Sequence, residues 1–143
     1  MARRTINDLL ADARARLHRL TAAEAYAAQQ HGALLIDTRC AELRQRDGSV
    51  PGSIQIPLSV LFWRLDSSSG YDNPELSQAP DRQLILMCDH GYSSSLAAAT
   101  LHDLGFENAT DVDGGFQAWA AAGLPVARPA ARGKVGASQP TTN

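Results

Sequence analysis

The chain has 143 residues, 44% of them hydrophobic and 20% charged, with a formal net charge of −2. That composition fits one globular domain with a real core, and the net charge gives no electrostatic case for nucleic-acid binding, which uses a concentrated basic face. No apolar run approaches the roughly 20 residues needed to cross a bilayer, and no apolar stretch follows the charged N-terminus, Met1 to Asp8, as a secretory signal requires. Asp8 and Asp12 argue against an acidic-poor transit peptide, so the expected protein is cytoplasmic, with neither a nucleic-acid nor a membrane partner.

Taken in chain order, Ile6, Leu9, Leu10, Ala13 and Leu17 recur at helical spacing behind Thr5, a candidate N-cap. Residues 1–20 thus read as an amphipathic N-terminal helix with its apolar side docked and its arginines on a solvated face. Thr21 and Glu24 have capping-box spacing, Leu20 is placed to staple the entry, and Gly32 is placed to end the helix they open. Ala33 to Asp37 reads as a buried strand, Ala41 to Arg46 as a short helix closed by Asp47-Gly48, and Ser53 to Ile56 as a second strand. Leu58 to Leu65 predicts a short helix, and the polar stretch from Ser67 to Pro80 a long loop. Leu84 to Met87 is the third strand, Ser94 to Leu104 a helix ended at Gly105, and Ala109 to Val112 the fourth strand. Gly114-Gly115 opens a last helix, closed by Gly123 and Pro125. This alternation predicts an α/β fold with a central, mainly parallel sheet and helices on both faces. Residues 127–143, rich in Pro, Ala, Gly, Ser and Arg, read as a disordered tail beyond the domain at 21–126.

The chain has two cysteines, Cys40 and Cys88, too few for a disulfide framework and without a zinc spacing among the four histidines, so no metal is expected. Cys40 reads as a small buried apolar residue. Cys88 differs: it ends the apolar run Leu84 to Met87 and precedes Asp89-His90-Gly91-Tyr92-Ser93-Ser94 and an alanine-rich helix. A thiol there lies beyond the carboxyl end of a strand, where open parallel sheets place their chemistry. The unpaired amides and dipole of the following helix stabilise a thiolate, and Gly91 permits the positive φ that turns successive N–H groups inward. Serine hydroxyls add donors, although one of them is also a candidate helix cap. His90 is placed either to keep Cys88 ionised or to face solvent, and Asp89 opposes the thiolate if it points inward.

Leu35-Ile36-Asp37-Thr38-Arg39, Gly48 to Ile54, the Cys88 loop into Ser94, and Gly105-Phe106 through Gly114-Gly115-Phe116-Gln117-Ala118-Trp119 to Val126 occur in the order and contexts of one family. The chain resembles a single-domain rhodanese-like sulfurtransferase. The resemblance implies transfer of a sulfane sulfur from thiosulfate or a persulfide or polysulfide donor to a thiophilic acceptor. It implies a persulfide on Cys88 and no cofactor, with Asp89, His90, Gly91, Tyr92, Ser93 and Ser94 as the anion-binding loop and Asp37 and Arg39 as candidate rim positions; Arg64 is a further rim candidate from another segment. Its expected partners are small sulfur compounds, and its expected state a monomer or weak homodimer.

One departure stands out: many rhodaneses carry an arginine five residues after the cysteine, where this chain has Ser93. No Lys or Arg occurs between Gln83 and Ala127. A lost charged hydrogen bond is worth about 1.5–3 kcal/mol, or one to two decades in binding, so weak thiosulfate turnover is expected unless Arg39 or Arg64 reaches the pocket. The same absence argues against a cysteine phosphatase or arsenate reductase, whose phosphoryl-type chemistry needs a positioned arginine. A non-catalytic binding or sulfur-carrier module remains the alternative.

Overall fold

Successive strand residues face opposite sides of a sheet, and the two apolar sets of this chain separate accordingly. The computed structural model describes residues 2–129. Strands β1 (Leu34–Asp37), β2 (Ile54–Gln55), β3 (Leu84–Met87) and β4 (Ala109–Asp111) form a four-stranded sheet in the order β2-β1-β3-β4, every pairing parallel. Ile36, Leu84 and Leu86 enter one core with residues of α4 (Leu61–Leu65), α5 (Pro74–Ser77) and α6 (Ser93–Asp103). Leu35, Ile85 and Met87 enter the other, with residues of α2 (Ala22–Gln30) and α7 (Gly115–Ala121). A central strand covered on both faces has no solvent side, hence the unbroken apolar reading of β3.

The two remaining helices are α1 (Ile6–Ala15) and α3 (Ala41–Asp47). Both α1 and α2 start on complete capping boxes, Thr5 with Asp8 and Thr21 with Glu24. Leu20 forms a parallel bridge with Val112, which extends the β4 edge with a residue from the α1–α2 connection. This bridge fixes the connection against the carboxyl end of β4.

Several expectations are corrected. The apolar stripe of α1 is only partly docked: Ala13 is buried, whereas Ile6 and Leu9 stay exposed, because the first turn overhangs the domain. Its arginines do not all face water either, since Arg14 turns inward onto the Cys88 loop. The segment from Ser67 to Pro80 contains a 3₁₀ turn at Ser67–Ser69 and the short helix α5, started by Pro74 and capped by the Asn73 side chain. Buried Leu76 ties that helix to the core. Ala127, read as the start of a disordered tail, pairs with Ser49 in an antiparallel bridge with reciprocal N–H···O bonds of 2.9 and 2.7 Å. The rest of that expected tail, beyond residue 129, lies outside the described residues. Cys40 is exposed at the N-terminal end of α3.

Candidate active site

The carboxyl ends of β1, β3 and β4 are stitched together by backbone bonds, Thr38 N–H to the Met87 carbonyl (2.9 Å) and Val112 N–H to the Leu86 carbonyl (3.1 Å). Cys88 follows β3 directly, and its side chain is buried. The loop after it is held from the α7 side: Phe116 N–H donates to the Cys88 carbonyl (2.8 Å) and Gln117 N–H to the Asp89 carbonyl (3.1 Å). That approach depends on Gly115, whose φ is +60° and whose added Cβ would lie 2.5 Å from the Cys88 oxygen. Gly91, at φ +85°, has the same role at the far side, where a Cβ would meet Gly114 N at 2.7 Å. Both glycines permit the loop to close over the sulfur.

Within that loop the Gly91 N–H donates to Cys88 Sγ (3.1 Å), and the thiol donates to Ser94 Oγ (3.2 Å). Burial pushes the Cys88 thiol up, but the Ser94 and Ser93 hydroxyls and the Ser94 and Gly91 amides outweigh it and bring the pKa below the ordinary value. No serine caps α6: its N-cap is Tyr92, without a side-chain bond, and the Ser94 and Ser95 hydroxyls both donate to Asp111 Oδ2 at 2.7 Å. Asp111 has no exposed surface.

The other loop residues separate. Asp89 does not face the sulfur; its carboxylate takes a bond from Gln117 Nε2 (2.9 Å) and lies 3.2 Å from His90 Nε2. The His90 side chain is 65% exposed, and Tyr92 is exposed with the Arg14 guanidinium 5.6 Å from its ring centre. Asp37 and Arg39 form a closed, buried pair (2.8 Å) instead of an open rim. Arg39 also donates to the Gly48 carbonyl and stacks 3.8 Å from the Phe116 ring centre, which joins β1 to α7. Arg64 donates to the Tyr71 carbonyl, within the connection after α4. Neither Arg39 nor Arg64 replaces the missing loop arginine.

The cations come from the N-terminal segment. Arg14 Nη2 and Arg19 Nη2 both donate to the Gly91 carbonyl, at 2.7 and 3.0 Å, and Arg14 Nε donates to Ser95 Oγ (3.1 Å). Arg19 forks onto Asp111, Nε to Oδ1 at 2.8 Å and Nη2 to Oδ2 at 3.2 Å. Burial lowers the Arg19 pKa, yet the Asp111 hydrogen bond and charge, with Asp113 and the Cys88 thiolate, raise it overall. The arginines grip the outer, carbonyl side of Gly91 while its amide faces the sulfur. They therefore hold the loop in shape and lend it charge from behind. Sequence reasoning missed both arginines; the one available signal was Asp111 inside the strand expected at Ala109 to Val112, since a carboxylate buried in a sheet needs a partner, although nothing local names Arg19 as that partner.

Among the described residues no group of three or more His, Cys, Asp or Glu side chains is placed to hold a metal ion. A cleft of about 400 Å³ lined by Arg16, His18, Gln83, His102 and Asn108 opens at the opposite, amino-terminal edge of β3 and β4, the wrong end of a parallel sheet for the chemistry.

A family model described as Rhodanese-like domain matches residues 21–122. A thiosulfate sulfurtransferase GlpE from Pseudomonas savastanoi pv. phaseolicola is 38% identical over 103 residues, 72% of this chain and 87% of that protein. The protein of that name from Vibrio cholerae is 50% identical over 76 residues, 53% of this chain and 71% of its own length. Among solved structures, a protein of unknown function from Rhodopseudomonas palustris CGA009, described as a possible tyrosine phosphatase, aligns with TM-score 0.81 and 32% identity over 89% of this chain and 97% of that one. The polysulfide-sulfur transferase homodimer of Wolinella succinogenes shares the fold at TM-score 0.63 and 23% identity, covering 86% of this chain and 87% of that one. The family match spans the sheet, the cysteine loop and α7 together, and the chain belongs to the rhodanese-like domain family.

Proposed function

We propose that the chain is a rhodanese-type sulfurtransferase that carries sulfur as a persulfide on Cys88. The observation that carries this reading is the polar cradle of a buried strand-end sulfur: the Gly91 amide donates to it, the Ser94 hydroxyl lies at hydrogen-bond distance, and the pKa is below the ordinary thiol value. The Cys88 thiolate attacks the outer sulfur of a donor such as thiosulfate. A sulfur–sulfur bond forms, the donor's own breaks, and sulfite leaves with the electron pair. Attack by a thiophile such as cyanide on the terminal sulfur then releases thiocyanate and restores the thiolate. The inward amides and hydroxyls replace water around the anionic persulfide, and this works without a cofactor.

The relatives named thiosulfate sulfurtransferase support thiosulfate as one donor. The six residues after Cys88 hold no Lys or Arg, and the nearby arginines face the outer carbonyl of Gly91. Thiosulfate turnover is therefore expected to be weak, with persulfides or polysulfides serving better. Ser93→Arg, which adds a loop cation, is expected to lower the KM for thiosulfate by about tenfold; an unchanged or higher KM contradicts this part of the reading. The phosphatase alternative is opposed by the same geometry, because no arginine fork opens into the loop. Thiocyanate formation with thiosulfate and cyanide tests the reaction itself: it is expected in the native protein and absent in Cys88→Ser. Phosphate release from a phosphoester without thiocyanate formation would reverse the assignment.

A further inference from the structure

A serine hydroxyl has one proton to donate, and Ser94 stands between Asp111 Oδ2 at 2.7 Å, which accepts that proton, and Cys88 Sγ at 3.2 Å, which donates its own to Ser94. While the sulfur is protonated the bonds form a chain, thiol to Ser94 and Ser94 to Asp111. When the thiol proton leaves to solvent water, the sulfur becomes an acceptor. Ser94 then serves it only by turning its proton away from Asp111. Asp111 is fully buried, so no water replaces the lost donor. What remains on the carboxylate is the Ser95 hydroxyl at 2.7 Å and the Arg19 fork at 2.8 and 3.2 Å.

We infer that Asp111 and Arg19 are positioning residues that decide when the Ser94 proton turns to the sulfur. Asp111 holds that proton off Cys88, while Arg19 and Ser95 satisfy Asp111 well enough for Ser94 to leave it. The inference deepens the reading of Cys88 as the nucleophile and rests on it. Charge works in the same direction. A carboxylate one hydroxyl away from the sulfur opposes a second negative charge, and the guanidinium offsets it. The other charged groups nearby are otherwise engaged. Asp113 takes the longer third contact of Arg19 (3.3 Å), Arg14 holds Ser95 and the Gly91 carbonyl, Asp89 is turned to Gln117 and His90, and Asp37 is closed on Arg39 across β1. Arg19 lies outside residues 21–122 matched by the family model, so this control belongs to the N-terminal segment of the chain.

The test is the pH dependence of Cys88 alkylation by iodoacetamide in a Cys40→Ser background. The thiolate displaces iodide and no sulfur donor is needed, so the result stands apart from whether sulfur transfer occurs. Ser95→Ala removes a hydroxyl that does not touch the sulfur, keeps the Arg19–Asp111 pair and leaves Arg14 its bond to the Gly91 carbonyl. It is expected to raise the midpoint and slow alkylation below it roughly fivefold, since Asp111 keeps a stronger hold on Ser94. Arg19→Gln is expected to raise the midpoint further, Arg19→Lys to restore most of the shift, and Asp111→Asn to lower the midpoint by roughly one unit. Folding of each variant is checked by its melting curve. A midpoint unmoved or lowered in folded Ser95→Ala overturns the inference, as does a lower melting temperature with no change in midpoint.

Discussion

Two opposing influences meet at Cys88. Burial disfavours the thiolate, and the inward donors favour it by more. Its alkylation midpoint is expected below the free-thiol value of about 8.5. A thiol whose pKa falls on folding contributes stability that is fully present above the unfolded value and lost as pH drops through the folded one. The stability gap between the native protein and Cys88→Ala should therefore widen as pH rises from the folded toward the unfolded value, as followed by denaturant unfolding at several pH values; a gap that narrows contradicts the donor set. At Gly115, substitution to Ala combines a left-handed φ with a 2.5 Å approach to the Cys88 carbonyl. A loss of at least about 2–3 kcal/mol is expected in the same unfolding experiment. The position of Cys88 was legible in the sequence because an apolar run, a thiol and a glycine-containing turn are neighbours in the chain. The partner of Ser94 was not, because Asp111 lies 17 residues away, and Arg19, which holds Asp111, is 92 residues distant from it. No local pattern records bonds of that separation.

Among the elements, α1 changed its meaning most. Helical spacing identified it, but periodicity tells which residues share a face and not which face meets the domain. Its Arg14 crosses to the Gly91 carbonyl and Ser95, and Arg16 reaches Asp103 at the end of α6. The helix thus braces the cysteine loop and α6 together. Arg14→Ala should leave the fold intact and raise the amide hydrogen-exchange rate of Gly91 several-fold, because one of the two guanidiniums that hold the carbonyl of this residue, and with it the turn, is lost; unchanged exchange would show that Arg19 alone suffices. Ile6 and Leu9, exposed in the first turn, are expected to tolerate Ser within about 0.5 kcal/mol. The strands were more legible than the helices, since β1 and β3 are short apolar runs with turn residues at both ends. The region around α5 read as loop because only Leu76 anchors it, and one buried residue leaves no periodic trace.

For the whole molecule, parallel strand order places the ends of β1, β3 and β4 side by side, so the chemistry collects at one edge of the sheet. The N-terminal segment closes that edge through the Leu20–Val112 bridge and the Arg19–Asp111 fork. The loop after Cys88 holds no Lys or Arg of its own, and the guanidiniums that reach it, Arg14 and Arg19, come from the N-terminal segment. The most direct test of the account is the intact mass of the protein after incubation with thiosulfate or a polysulfide and removal of excess donor. The predicted result is a gain of one sulfur atom, kept in Cys40→Ser, absent in Cys88→Ser and removed by cyanide. No gain with either donor, or a gain that survives Cys88→Ser, would contradict it.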